Sequence, residues 1–162
     1  METMNRYMDL KWAWIEGSNG MREGLLEQLT DADLAFSPGA DNMPFGELFR
    51  QMGEVEYSYL QGLKTFVQHW DFHNTEAGLE TSVSRLRAWF DELDGELHAV
   101  VSAFTDDDLA RTVERRESGF QMPVEMVLDV YVQALLIFFG KATVYLKAMG
   151  KPLPPAVAEW IW

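Results

Sequence analysis

The sequence predicts an all-α fold, a four-helix bundle made of two helical hairpins joined by a long crossover. Three observations carry that expectation. The segment Thr81–Phe104 holds a heptad seam, two apolar helices open at proline, and each half of the chain repeats the same order of elements. At 162 residues the chain is long enough for one domain, 1–162, with a real core.

The first helix is expected from Thr3 to Leu29, with Met4, Tyr7, Met8, Trp14, Ile15, Met21, Leu25 and Leu29 as its inner stripe. Gly17-Ser18-Asn19-Gly20 predicts a kink or break, since each glycine costs about 1 kcal/mol relative to alanine. The second helix starts at Pro44 and buries Leu48, Met52, Val55, Tyr59, Leu63, Phe66 and Trp70. A crossover from Asp71 to Leu79 follows. The third helix is the clearest: Val83, Leu86, Phe90, Leu93, Leu97, Val100 and Phe104 recur in steps of three and four, separated by charged residues. The fourth runs from Pro123 to Met149, where Gly150 offers a left-handed cap and Pro152 blocks continuation. Between Val124 and Phe139 only Glu125, Asp129 and Gln133 interrupt its apolar surface, which predicts burial on most sides, either by a homodimer face on this helix or as the buried helix of a monomer. The terminal Trp160-Ile161-Trp162 is expected to pack on the bundle or on a partner.

The echo runs through both halves. Thr30-Asp31-Ala32-Asp33-Leu34 follows the first helix, and Thr105-Asp106-Asp107-Asp108-Leu109 follows the third. An irregular stretch then leads to Met43-Pro44 or Met122-Pro123, each opening the next helix.

Composition narrows the function classes. Thirteen basic residues against 26 acidic ones give a formal net charge of −13, which repels phosphate backbones and anionic headgroups, so neither nucleic acid nor a membrane surface is an expected partner. With no cysteine, the chain has no thiolate metal site and no cysteine nucleophile. Met1–Leu10 contains no apolar stretch of signal-peptide length, and the charge-free run Val130–Phe139 is half of what a bilayer span needs. A soluble, cytoplasmic protein is expected.

The turn Thr-x-x-Asp-Leu, the segment Gly46-Glu47-Leu48-Phe49-Arg50-Gln51 in a proline-started helix, and a last helix ending Gly140-Lys141-Ala142-Thr143-Val144-Tyr145-Leu146-Lys147-Ala148-Met149-Gly150 together resemble the DinB/YfiT-like superfamily over nearly the whole chain. The resemblance implies a bundle in which three histidines, one on the second helix and two on the fourth, hold a divalent metal. It further implies a thiol transferase whose metal lowers the pKa of a small thiol and presents the thiolate, in a family named for damage-inducible bacterial proteins and hence for a stress setting. The matching positions here are Gln51, Ala134 and Phe138. Alanine and phenylalanine cannot ligate a metal and glutamine is a poor ligand for zinc or nickel, so the resemblance predicts no metal and no cofactor in this chain.

Other chemistry is sparse. His69 and His73 stand four apart around Asp71 and resemble a helical metal pair, but fall where the second helix should fray; His98 flanks Leu97 at the edge of the third helix. No glutamate precedes a histidine by three, as a di-iron carboxylate bundle requires, and no phosphate loop or nucleophile elbow is present. Gln51 shares a face with Leu48, Met52 and Val55 and is expected to point inward. With Glu54, Tyr57, Tyr131, Gln133, Ala134 and Phe138 it is a candidate for a small polar pocket at the vacated metal position. The alternative, ranked ahead because the ring of Phe138 fills the space of a metal and its substrate, is that Gln51 bonds only to a side chain or a buried water. Three function classes follow. They are a metal-free binding or interaction protein, an enzyme acting on a thiol or another small molecule without metal, and a metalloenzyme with displaced ligands such as His69 and His73. The first ranks ahead.

Overall fold

The two acidic turns that echo each other in sequence are built alike. In the computed structural model, which describes residues 5–160, Thr30 with Asp33 and Thr105 with Asp108 form reciprocal capping boxes over short helical turns, Asp31–Ala35 and α5 (Asp106–Leu109). After each turn the chain returns to the start of a long helix. The amide of Phe45 donates to the Phe36 carbonyl at 2.8 Å, and that of Val124 to the Arg111 carbonyl at 2.9 Å. Pro44 and Pro123 cap α3 (Phe45–Thr65) and α6 (Val124–Ala148), where a missing N–H costs nothing.

The four bundle helices are α2 (Trp12–Glu27), α3, α4 (Val83–Ala103) and α6, with α1 (Arg6–Leu10) preceding α2 and α7 (Pro155–Ala158) closing the described chain. Helix α3 packs against both α4 and α6, and α2 packs against α6 and α4. The heptad seam of α4 forms a core ridge over its middle: Leu86, Phe90, Leu93 and Leu97 are buried, while Val83, Val100 and Phe104 are half-buried and Val101 takes the buried place expected of Val100. Gly150 takes the left-handed conformation (φ 71) and Lys151 N–H closes onto the Leu146 carbonyl at 2.9 Å, ending α6 as expected.

The first helix differs from its prediction. It breaks at Lys11, not at the glycines, and runs unbroken through Gly17–Gly20. Tyr7 and Lys11 both reach Asp129 on α6, at 3.3 and 2.7 Å, which anchors α1 off the axis of α2. In the glycine stretch the Ser18 hydroxyl donates to the Trp14 carbonyl, and Ile15 and Arg22 on either side are buried, so packing outweighs the glycine cost. Trp12 is buried while Trp14, assigned to the inner stripe, is 60% exposed. Met4 of that stripe and Ile161-Trp162 of the tail lie outside the described residues.

The second helix also ends earlier than its apolar stripe suggests. At Phe66 the backbone turns left-handed (φ 61), an unusual state for a non-glycine residue. The ring is held there by the Arg111 guanidinium, 3.5 Å from its centroid, and by Phe104, while its carbonyl accepts the Glu114 N–H at 3.0 Å. A small sheet follows that periodicity does not reveal. β1 (Val67–Gln68) pairs in parallel with β2 (Thr112–Arg115), which pairs antiparallel with β3 (Phe120–Pro123). Helix α6 is long and apolar enough to cross a membrane by length and composition alone. In this fold Val127, Leu128, Tyr131, Leu135, Phe139 and Leu146 bury its inner side in the bundle core.

Candidate functional site

The structure distributes the expected pocket residues over separate places. Glu54, on α3, faces the crossover: Arg50 Nη1 donates to it at 2.5 Å and the Asn74 amide at 2.7 Å, with His73 Nδ1 at 3.1 Å. Arg50 is also paired with Glu80. Glu54 thus fastens the loop between the two halves to α3. Gln51 is half-buried rather than inward-pointing, Gln133 is exposed, and Ala134 is half-buried on α6. Phe138 is buried, with the Lys141 ammonium 5.4 Å from its ring centroid. Tyr131 is fully buried in the bundle centre, and Tyr57 stacks on Phe72 of the crossover with centroids 3.8 Å apart.

The histidines do not make a pair. Helix α3 ends before both, and His73 meets Arg50 and Glu54 while His69 faces Glu117 at 3.8 Å. His98 is exposed, edge-on to Trp12. The metal implied by the resemblance fails a test on donor chemistry. The methyl of Ala134 and the ring of Phe138 offer no lone pair, and among the described residues no three His, Cys, Asp or Glu side chains are grouped to hold an ion.

What the bundle centre holds instead is an ionic cluster with one member from each long helix. Arg22 of α2 donates from Nη1 to Glu56 of α3 at 2.8 Å, and from Nη2 to both carboxylate oxygens of Asp94 of α4 at 2.7 Å. Tyr131 of α6 completes it, coupled electrostatically to Glu56 and Arg22. The Arg22 guanidinium also lies 4.0 Å from the centroid of Phe90. Two carboxylates share one cation here. Burial drives the Glu56 carboxyl up to about 8, the attraction of Arg22 offsets part of that, and the negative charge of Asp94 adds to it. Glu56 therefore holds its proton more firmly than an exposed glutamate does, because burial outweighs the attraction of Arg22. Burial likewise raises the Tyr131 hydroxyl well above its ordinary value. Glu56 Oε1 and the Tyr131 hydroxyl are both buried, and the two side chains interact with each other.

Sequence reasoning missed this cluster, and a signal for it existed. Glu56 falls four after Met52 and three before Tyr59, within the α3 stripe, and Arg22 falls seven after Ile15 and three before Leu25 within that of α2. A charged residue at a core register on two neighbouring helices implies a buried pair.

Open space lies elsewhere. A cavity of about 680 Å³ sits beside the crossover, lined by Tyr57, Phe72, His69, His73 and Arg116 among others. A smaller one of about 360 Å³ lies between Arg50 and the turn before α4. The largest of the three, about 920 Å³, is a groove between α2, α6 and α7 walled by Trp14, Met21, Leu136, Phe139, Val157 and Trp160. Trp14 and Trp160 stand 6.3 Å apart at its side. Its hydroxyls are already engaged as donors, Ser18 to the Trp14 carbonyl and Thr143 to the Gly140 carbonyl, both at 2.8 Å. Such a groove suits a neutral, mostly apolar molecule. Glu159 on its rim disfavours an anion.

Residues 18–133 match the family model of the DinB superfamily. Among solved structures, the chain is similar to a crystal structure of a DinB-like protein, YjoA, from Bacillus subtilis. The identity is 16%, the TM-score 0.68, and the likeness covers 88% of this chain and 92% of that one. At this identity it shows the fold. The comparison with curated proteins gives no match.

Proposed function

The chain belongs to the DinB superfamily, and from that premise we propose that it is a metal-free, non-catalytic member that binds a neutral apolar small molecule in the groove between α2, α6 and α7. The single observation that carries this reading is the contrast between two places. The positions that the resemblance assigns to the family's metal ligands hold Gln51, Ala134 and Phe138, while a groove of about 920 Å³ with an apolar wall stands open on another side of α6. That volume is within the range of about 300–1,000 Å³ typical of small-molecule sites. Polar side chains at the bundle centre engage one another: Arg22 bridges Glu56 and Asp94, and none of the three lines the cavities described above. The protein acts, on this reading, as a soluble cytoplasmic binder.

The test uses N-phenyl-1-naphthylamine, a neutral apolar fluorophore, with energy transfer from the chain's six tryptophans as the readout, of which Trp14 and Trp160 wall the groove. The wild type should bind it saturably at one site per chain. Gly17→Phe fills the groove at a position where a new Cβ meets nothing within 4 Å, and it should abolish the signal without loss of helix. Non-saturable uptake, or the same affinity in the variant, would overturn the groove assignment. Metal-dependent thiol transfer by the purified protein would overturn the non-catalytic reading.

A further inference from the structure

Helix α6 carries a second heptad seam, exposed along its length except at Val130, which is half-buried. Met126, Val130, Gln133, Ile137, Gly140 and Val144 follow one another in steps of four, three, four, three and four. This is the spacing that puts the buried ridge of α4 against its neighbours. Yet Met126 is 51% exposed, Ile137 64% and Val144 57%. Among the described residues nine large hydrophobic side chains are exposed, and four of them, these three and Leu136, are on this one helix. An apolar stripe of this regularity on the surface is a helix–helix interface without its helix.

The residues themselves say which helix. Numbered about Leu135, the stripe is self-complementary when run against itself in the opposite direction: Met126 falls opposite Val144, Val130 opposite Gly140, and Gln133 opposite Ile137. Each layer then pairs a larger side chain with a smaller or polar one. Gly140, where an added Cβ would meet nothing within 4 Å, becomes the notch that receives Val130. A parallel alignment would instead set Gly140 on Gly140, Gln133 on Gln133 and Lys141 near Lys141, leaving a void, a polar layer and a like-charge contact. The antiparallel pair also opposes the two helix dipoles favourably. At the amino end Arg6 and Lys11 already balance Glu125 and Asp129 within the chain, so that end brings no uncompensated charge to the contact.

We infer that two copies of this chain associate through α6, antiparallel about a two-fold axis at Leu135. The contact is isologous and closes on itself, so it yields a dimer and not a filament. The seam from Met126 to Val144 is a single helix pair roughly 27 Å long, so the association is reversible and concentration-dependent. Met126, Ile137 and Val144 do not line the groove, whereas Gly140 does, so the contact adjoins the groove at that notch.

Sedimentation velocity over a concentration series reads the association, and disulfide trapping reads the register in a chain with no cysteine of its own. The wild type should pass from monomer to dimer as concentration rises. Ile137→Glu should remain monomeric with an unchanged helical circular dichroism spectrum and unchanged binding of the groove probe. The double variant Met126→Cys/Val144→Cys should give a covalent dimer on mild oxidation, while each single variant should not, because like residues lie at opposite ends of the seam. A wild type that stays monomeric throughout overturns the proposal and assigns the stripe to a different partner. Single-cysteine variants that cross-link as readily as the double one overturn the antiparallel register.

Discussion

Replacing Glu56 by glutamine should change how stability depends on pH more than it changes stability itself. Glu56 is fully buried, and in the folded protein its carboxyl is pushed from the ordinary 4.5 up to about 8 by loss of water, only partly offset by Arg22. A carboxyl with a raised folded-state pKa contributes its stability fully below the unfolded value and loses it as pH rises toward the folded one, because the unfolded chain releases the proton first. Between these limits stability should fall by about 1.4 kcal/mol per pH unit, a total of roughly 4–5 kcal/mol. Glutamine imitates the protonated form and keeps an oxygen for Arg22, so Glu56→Gln should cost about 1 kcal/mol or less near pH 5. It should then become the more stable protein as the wild type weakens toward pH 8. Urea unfolding followed by circular dichroism, at several pH values between about 5 and 8, measures both curves. Two parallel curves would refute the reasoning, since they would mean Glu56 is ionised throughout as the anion of a strong pair with Arg22. The acid limb does not interfere. The Lys151 ammonium beside Asp33 and the Thr105 amide beside Asp108 hold those carboxyls below their ordinary range, so their contribution is present above that range and is lost only at lower pH.

Three further outcomes follow from packing and from the crossover. Leu97→Ala removes a side chain that is 1% exposed in the α4 ridge and should cost about 2–5 kcal/mol in urea unfolding; a loss below about 1 kcal/mol would put the ridge at the surface. Gly46→Ala drives a Cβ into the backbone carbonyl of Glu80, where α3 passes the turn before α4. It should destabilise the protein by about 1–3 kcal/mol despite alanine's better helix propensity, and a stabilised variant would refute that close approach. Glu54→Ala strips the Asn74 amide of its acceptor, so that amide should exchange with deuterium about 10–100 times faster, whereas unchanged exchange would mean the crossover is held by other contacts.

The long helices were legible because their signals are long. The α4 ridge repeats over seven positions, and the two acidic turns occur in equivalent places of the two halves, so each supports the other. The sheet was hidden for the opposite reason. Its strands have two to four residues, and β2 and β3 each bury one side chain, Val113 and Met122, too few for an alternation to be seen. The early end of α3 was hidden by Phe66 and Trp70, which continue the apolar stripe in sequence although Phe66 turns left-handed to meet Arg111 and Phe104. At the site, the resemblance pointed to Gln51, Ala134 and Phe138, which the structure finds half-buried, half-buried and buried. It could not locate the polar centre, because Arg22 and Glu56 read as ordinary surface charges unless their register against the neighbouring core residues is counted.

The claim that this member of the superfamily works without a metal rests on three positions, and native mass spectrometry tests it most directly. The wild type is mixed with zinc or nickel beside the triple variant Gln51→His, Ala134→His, Phe138→His. A wild type that holds no stoichiometric ion, next to a folded variant that takes up one, is the result this account predicts. A wild type that retains one zinc or nickel ion per chain as firmly as the variant would contradict it, and would return the metal to the centre of the chemistry.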